Sequence, residues 1–391
     1  MQVSEKLIAD KEESLLESAT ENPPLKKRLS AYWKFIIIYS AVILLLNIVA
    51  QNKSFSDFYD DNIFRYLSMP YCALTGLMPF SVGEILIPAA ILIVLTALVL
   101  LTLLIFLKKK EKFKRFSIKY LKSTLAFILT VVMIMTLNCS ILYCTSKMDI
   151  NGNRGKKYSA EQIEILRNYV VEQCNELSKK MERKENGEVT YSDNLDKEIE
   201  AALNGLSDEL PRLKGYYPNA KPIMGSYFMY QAGVIGVYFP FSMEANYNTN
   251  VSDIYAPSVI AHELSHLKGY IYEDEANFIA YLACTKSDND IIRYSGYLSV
   301  LNYIDDDYYI CVDEERYFKQ VQIKKAVAFD NFCYDREKWK ALQEQKPVVK
   351  TETVENISDT ITDTYLDYYQ AEPNYNEVTL LMLQYYDGIL Y

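Results

Sequence analysis

Three long apolar runs occupy the first third of the chain, whereas the residues after them mix polar and apolar positions as soluble domains do. The runs cover about residues 32–50, 85–107 and 121–143. A helix needs about 20 apolar residues to cross the ~30 Å hydrocarbon core of a bilayer. The second and third runs exceed that length, and the first begins with aromatic and basic residues suited to a membrane interface. The pattern predicts a membrane domain over 32–145 with three transmembrane helices.

The distribution of basic residues predicts how these helices are oriented. Basic residues cluster at the end of segment 1–31 and again between the second and third runs, where residues 108–122 carry eight. Residues 51–84 carry only two. Loops rich in Lys and Arg stay in the cytoplasm. We therefore expect a multi-pass protein of the cell membrane, with a cytoplasmic N-terminal segment over 1–31 and an extracytoplasmic C-terminal domain.

The part after residue 145 is acidic, with 25 Lys and Arg against 40 Asp and Glu, a net charge of −15. This balance argues against nucleic acid as a partner and against adhesion to anionic lipid. The seven cysteines of the chain are scattered without a CxxC spacing. We therefore expect neither a structural zinc knot nor a disulfide framework.

The outer part divides into a linker over 146–157, which lacks periodicity, and a domain over 158–391. Helical spacing begins after Ser159, which is a suitable helix cap. Further helices are predicted near 288–304, 313–328 and 334–345, and the tail after 351 also has the spacing of packed helices. Two short strands are predicted near 222–230 and 234–239, where aromatic residues are broken by glycines. The sequence thus predicts an α+β, mostly helical domain after a multi-pass helical membrane anchor.

Both histidines of the chain lie in the stretch VIAHELSHLKGYIYEDEANFIAYLAC, at 262 and 266. Pro257 suits the first turn of a helix and Gly269 the position past its end. Residues four apart lie one turn apart, so His262 and His266 project from one side and can bind one tetrahedral zinc. Glu263 is placed to take a proton from a zinc-bound water. Two histidines fall into this pattern by chance roughly once in a few thousand chains of this length, which favours a Zn²⁺ site.

A catalytic zinc needs a third protein ligand and an open fourth position. With no further histidine, a carboxylate must supply it, and a second helix is predicted to start near Glu273. Glu273 is the favoured ligand, and Asn277, one turn later, is placed to hydrogen-bond a ligand histidine. Glu275 points elsewhere on that helix and is the weaker alternative.

These motifs resemble the zincin metallopeptidases, specifically the Glu-zincin branch, in which HExxH is followed by a helix that bears the third ligand. EDEANF is similar to the second-helix motif of the ImmA/IrrE-type peptidases. Together with three N-terminal spans, GVYFPFSMEANYN and HELSHLKGY resemble an uncharacterised bacterial family of multi-pass HExxH proteins, known only as a domain of unknown function. Glu273 follows His266 by seven positions, a shorter separation than in most Glu-zincins.

The resemblance implies a zincin-like fold and a membrane-anchored zinc metallopeptidase that hydrolyses a peptide or protein substrate outside the cytoplasm. Glu263 would act as general base toward a zinc-bound water. The alternative is a non-catalytic membrane sensor or envelope scaffold that retains the fold. A transporter is disfavoured because the three spans carry almost no internal charge.

The resemblance further implies that an edge strand binds peptide by backbone pairing, for which residues 233–239 are the candidate. Polar residues after this strand are candidates to line the cleft: Glu244, Asn246 and Asn248. A second group holds candidates to stabilise the oxyanion of a tetrahedral intermediate: Arg293, Tyr294 and Tyr297.

Overall fold

The structure, a computed structural model, describes residues 29–107, 110–153, 155–191, 195–345, 349–369 and 377–391, with the backbone alone described over 361–369. Most of the predicted N-terminal segment 1–31 lies outside the described residues, as do Lys108 and Lys109 of the basic region. The chain divides by packing into two units, Met1–Val42 and Ile43–Tyr391. The second unit carries the candidate site.

The first five helices are α1 Ala31–Ala50, α2 Lys53–Tyr59, α3 Arg65–Gly76, α4 Val82–Leu107 and α5 Glu111–Met135. A π-helical turn, Asp60–Phe64, joins α2 to α3. Helix α5 continues through a π turn, Thr136–Ser140, and a 3₁₀ turn, Leu142–Cys144. Among the described residues, α1, α4 and α5 with its extension are long and apolar enough to cross a membrane. The three predicted apolar helices are therefore present.

The third apolar helix starts at Glu111, ten residues before the predicted start at 121. Lys and Arg propagate a helix almost as well as Leu, so the polar run does not end the helix. Most of the predicted basic loop is consequently the first three turns of α5. Its basic side chains lie on a helix rather than on an irregular connection.

The remaining helices are α6 Ala160–Leu177, α7 Leu195–Gly205, α8 Ser226–Gln231, α9 Ala256–His266, α10 Glu273–Thr285, α11 Asp290–Cys311, α12 Glu314–Phe318, α13 Lys325–Asp330, α14 Arg336–Glu344, α15 Thr351–Tyr369 and α16 Glu377–Tyr386. Helix α6 begins with the expected cap, in which the Ser159 hydroxyl accepts from the Gln162 amide. The mostly helical prediction is confirmed. In the tail, α16 buries an apolar face, and residues 370–376 lie outside the described residues.

The single helix predicted over 313–328 is wrong, because α12 and α13 are separated by an extended segment. Two buried side chains of α6 hold this segment by its backbone. Arg167 donates to the carbonyl of Val321, and the Asn175 amide accepts from the Lys324 N–H at 3.0 Å. Tertiary hydrogen bonds here override the local preference for helix.

A three-stranded sheet lies beside α9, formed by β1 Lys221–Ile223, β2 Gly236–Phe239 and β3 Glu244–Asn248 in the order β1-β3-β2. Strand β3 runs parallel to β1 and antiparallel to β2. The strand predicted over 222–230 is wrong beyond Ile223, since 226–231 forms α8; that segment contains aromatic residues but no β-branched one. Strand β3 was not predicted because its buried positions are polar.

Packing around the sheet puts α9 at the centre of the part of the chain that follows the apolar helices. Helices α9, α10 and α11 pack in succession, α6 runs along α11, and β2 and β3 lie against α9. Ala261, Leu264 and Ile279 are fully buried in this core. The linker over 146–157 contains no helix or strand among its described residues, and it runs over α10, where the Met148 N–H donates to Glu275 at 2.6 Å. The HExxH helix is therefore held rigidly on several sides.

Candidate metal centre

Helix α9 presents its two histidines to the same side. Pro257 occupies its first turn, and the helix ends at His266, three residues before Gly269. Gly269 has a φ of 92°, the left-handed conformation that closes a helix at low cost only with glycine. The Nε2 atoms of His262 and His266 lie 3.1 Å apart, with the rings nearly perpendicular.

The carboxylate of Glu273, the first residue of α10, completes the group. Its Oε2 lies 3.1 Å from Nε2 of His262, and its Oε1 lies 3.7 Å from Nε2 of His266. One ligand atom from each residue lies within 4.8 Å of the other two. Three ligands on one tetrahedral zinc, at about 2.0–2.1 Å each, are roughly 3.3 Å apart. The observed separations fit a single zinc ion, and the Glu273 side chain is 51% exposed, which leaves the site open to water.

The outer nitrogens of both rings are bound to acceptors. Nδ1 of His266 lies 2.8 Å from the carbonyl oxygen of Tyr270, and Nδ1 of His262 lies 2.9 Å from Oδ1 of Asn277. Each Nδ1 must donate its proton, so in a neutral ring Nε2 carries the lone pair. Two such lone pairs 3.1 Å apart repel each other unless a proton or a metal cation lies between them. The donor set therefore matches a cation site.

The pKa values of the three groups describe the same site without a metal. Burial alone would lower the pKa of His262, but the hydrogen bond and charge of Glu273 outweigh it and raise the pKa to about 9. Burial lowers the pKa of His266 to about 4. The partial loss of solvent around the half-exposed Glu273 would raise its pKa, but its bond to His262 and the charges of both histidines lower the pKa to about 2. At neutral pH the group thus holds one proton, where a cation would otherwise bind.

Glu263 lies beside this group with its carboxylate buried. The residue is 5% exposed, and its Oε2 has no hydrogen-bond partner among the described residues. Burial, together with the charge of Glu273, raises the pKa of Glu263 to about 8, against the opposing charge of His262. Gly236 of β2 contacts it so closely that a Cβ there would lie 2.9 Å from Cγ and Cδ of Glu263. A buried, unpaired carboxylate with a pKa near neutrality is suited to proton transfer.

Four other candidate residues bind parts of the fold away from the two histidines. Glu275, the alternative ligand, accepts from the Met148 N–H of the linker. Glu244 caps the start of α4 and pairs with Lys221, so it does not line a cleft. Asn246 is fully buried and donates to the carbonyl of Val237 at 3.2 Å within the sheet. Asn248 is likewise buried and donates to the carbonyl of Val234 at 3.0 Å.

The three candidates for oxyanion stabilisation also have their polar groups engaged elsewhere. Arg293 donates to the carbonyls of residues 287 and 288 and pairs with Asp290. The Tyr294 hydroxyl donates to Asp330 at 2.7 Å. The Tyr297 hydroxyl bonds that of Tyr169 at 2.8 Å. Each of these bonds stabilises the packing of α11, so we withdraw the three residues as parts of the site.

The model of one known protein family matches most of the chain. Residues 59–383 match the model of a family described as "Protein of unknown function (DUF3810)". The chain belongs to this family. No curated protein and no solved structure matches it. The expected membership in a family of unknown function is therefore confirmed, and the family description assigns no chemistry to the site.

Sequence reasoning missed three contributors that approach the site from outside α9 and α10. Gly236 allows β2 to lie against Glu263. The Tyr238 ring lies 5.8 Å from the His266 ring, centroid to centroid, and buries one side of it. The backbone carbonyl of Tyr270 orients His266. Any residue at position 270 would supply this carbonyl, so the sequence carries no sign of its role. Only Gly236 left a signal in the sequence, as a glycine inside an otherwise apolar strand.

Proposed function

We propose that this DUF3810 protein is a membrane-anchored zinc metallopeptidase with a zincin-like site. One observation carries the proposal: the Nε2 atoms of His262 and His266 and the Glu273 carboxylate converge on one point, beside the buried carboxylate of Glu263, whose Oε2 has no hydrogen-bond partner among the described residues. The three converging residues supply the ligands of a catalytic zinc, and Glu263 supplies the base. A purely structural zinc site would use four protein ligands and would not need the buried base.

The chain's own residues perform the proton transfers in this mechanism. A bound zinc would polarise the scissile carbonyl and lower the pKa of the attacking water. Glu263 accepts the proton of that water and passes it to the leaving amine. Burial raises the pKa of Glu263, which makes its carboxylate a stronger base. A nearby dication would lower this pKa again, so that the carboxylate is ionised at neutral pH and can accept a proton. Asn277 and the Tyr270 carbonyl keep both histidine rings oriented throughout.

Strand β2 is suited to hold the substrate beside this group. It is an edge strand of the sheet and is half-buried along its length. The Asn248 N–H donates to the Ile235 carbonyl at 2.9 Å. In an antiparallel pair every second residue bonds the partner strand, so the amides and carbonyls of Gly236 and Tyr238 point away from β3. A peptide that adds to this open edge would lie next to Glu263.

The proposed location follows from the apolar helices and the basic residues. We infer that α1, α4 and α5 span the cell membrane and that the basic start of α5 lies in the cytoplasm. With that orientation we expect the metal site outside the cytoplasm, on the side of the residues that connect α1 to α4.

Peptide hydrolysis by the full-length, zinc-loaded protein tests the proposal. We expect wild type to cleave a mixed peptide library and Glu263→Gln to bind zinc normally but cleave at least 100-fold more slowly, because an amide cannot accept the proton. Fragments identified by mass spectrometry and zinc measured on the same samples provide both readouts. Equal cleavage by the two proteins would contradict the role of Glu263. Zinc binding with no cleavage by wild type would favour the alternative, a sensor or scaffold.

A further inference from the structure

The sheet beside the metal site is fastened to the first turn of α4 by two carboxylates that reach in opposite directions. Glu244 of β3 accepts from α4, and Glu84 of α4 accepts from the segment after β1. Four backbone amides donate to them, at 3.0, 2.8, 2.9 and 2.8 Å: those of Val82, Gly83, Met224 and Gly225. Hydrogen bonds to ionised carboxylates are strong, so this junction holds the sheet rigidly at the end of α4.

The end of β2 is fixed at the same junction. The Phe239 ring packs directly against Gly83 of α4. The Asn138 side chain, in the π turn after α5, donates to the carbonyl of Pro240 at 2.6 Å. Strand β2 therefore runs from the metal site at Gly236 to the ends of two apolar helices.

The length of β2 limits the distance between the site and these helices. Gly236 contacts Glu263, and Phe239 is three residues further on, which at ~3.3 Å per residue is about 10 Å. The apolar run of α4 begins at Ile85, two residues after Gly83, and α4 is long and apolar enough to cross a membrane. If α4 spans the bilayer, Glu263 lies only about 10–20 Å from the hydrocarbon, a range that allows for the side chains at both ends of β2.

The helical segment from α2 to α3 gives independent evidence for a surface close to lipid. One side of it is buried in the protein, at Asp60, Phe64, Ser68, Cys72 and Thr75. The opposite side exposes large side chains: Tyr66 (68% exposed), Leu67 (52%), Leu74 (60%) and Leu77 (76%). This segment lies between two candidate spans, α1 and α4, in the sequence. Its apolar side is therefore suited to rest in the lipid headgroup region on the outer face of the same membrane.

We propose that the site acts on polypeptides anchored in the same membrane and cleaves them in the segment just outside the bilayer. This inference rests on the proposed function. The substrate segment would leave its own membrane anchor and pair with the open edge of β2. A chain advances at most ~3.3 Å per residue, so a distance of about 10–20 Å requires at least roughly 3–6 residues between the anchor and the scissile bond. The reaction is hydrolysis: the C–N bond breaks, the hydroxyl of one water goes to the acyl carbon and its proton to the amine.

Co-reconstitution with designed substrates tests this proposal. The zinc-loaded full chain is placed in lipid vesicles with a single-span peptide that carries a randomised eight-residue segment directly after the span. Two matched substrates carry the same segment after a 40-residue Gly/Ser spacer, or without any span. The spacer spreads the segment over about 35 Å, which dilutes it near the site by more than tenfold relative to the direct attachment. Glu263→Gln serves as the catalytic control.

The outcomes separate the substrate class from the peptidase function. We expect cleavage of the directly attached segment at least tenfold faster than of either matched substrate, with no cuts closer than about three residues to the span. Equal rates for all three, or faster cleavage of the soluble segment, would overturn the substrate class and leave the peptidase function standing. No cleavage of any substrate by zinc-loaded wild type would overturn both.

Discussion

The contact between Gly236 and Glu263 makes Gly236→Ala an informative perturbation of the proposed mechanism. The new Cβ would lie 2.9 Å from Cγ and Cδ of Glu263 and closer still to its Oε1. Carbon atoms in contact prefer about 3.5–4.0 Å, so the carboxylate must move by about 1 Å. A displacement of that size at a reacting group costs on the order of 100-fold in rate, or about 2.7 kcal/mol. The three atoms nearest to the added methyl group all belong to Glu263, which is not a ligand, so zinc should be retained.

The assay is peptide hydrolysis, as kcat/KM, with zinc content measured on the same samples. Gly205→Ala is the matched control, since a Cβ there meets nothing within 4 Å and the residue ends helix α7. We expect Gly236→Ala to lose about 100-fold in kcat/KM at full zinc occupancy and Gly205→Ala to behave as wild type. A folded, zinc-bound Gly236→Ala protein with wild-type kcat/KM would refute the placement of Glu263 as the base.

Three further predictions concern the ligands, the proton of the metal-free site and the membrane surface. Glu273→Gln should weaken zinc binding by more than ~100-fold, which is the most that the loss of a residue hydrogen-bonded to a ligand typically costs, whereas Glu275→Gln should not. Zinc titrations in which Glu275→Gln loses more affinity than Glu273→Gln would contradict the ligand assignment. Because His262 has a pKa of about 9 without metal, zinc binding at pH 7 should release at least one proton and strengthen as pH rises toward 9. Calorimetry that finds the same zinc affinity from pH 6.5 to 9.5 would contradict this. In a chain whose two natural tryptophans are replaced by phenylalanine, the Leu74→Trp variant should have its tryptophan fluorescence quenched by brominated lipid. A chain that keeps only Trp339, in α14, should not be quenched, and equal quenching of the two would argue against the lipid-facing side of α3.

What sequence reasoning predicted well depends on residues close together in the chain. His262 and His266 are one turn apart on one helix, and Glu273 and Asn277 are one turn apart on the next, so local geometry is enough to bring each pair to one side. The tight connection through Gly269 then limits where α10 can lie relative to α9. The apolar helices were equally predictable from the sequence, because the length of an apolar run alone decides whether its helix can span a bilayer.

What sequence reasoning missed depends on contacts between distant parts of the chain. Nothing near Glu244 in sequence indicates that its partners are the first amides of α4, more than 160 residues earlier. The same applies to Tyr294, whose hydroxyl bonds Asp330 rather than a substrate. In both cases a polar residue near the motif was interpreted as part of the site, whereas the fold uses it to join two elements. Chemistry-bearing residues outside a local motif are therefore the ones for which a structure is needed.

Zinc stoichiometry of the purified full-length protein tests the central claim most directly. After zinc is supplied and excess is removed, elemental analysis should give about one zinc per wild-type chain and close to none for His266→Ala, which lacks one of three ligands. Glu263→Gln should retain the metal, because Glu263 is not a ligand in this arrangement. Wild-type protein that is correctly folded yet free of zinc after this treatment would contradict the account.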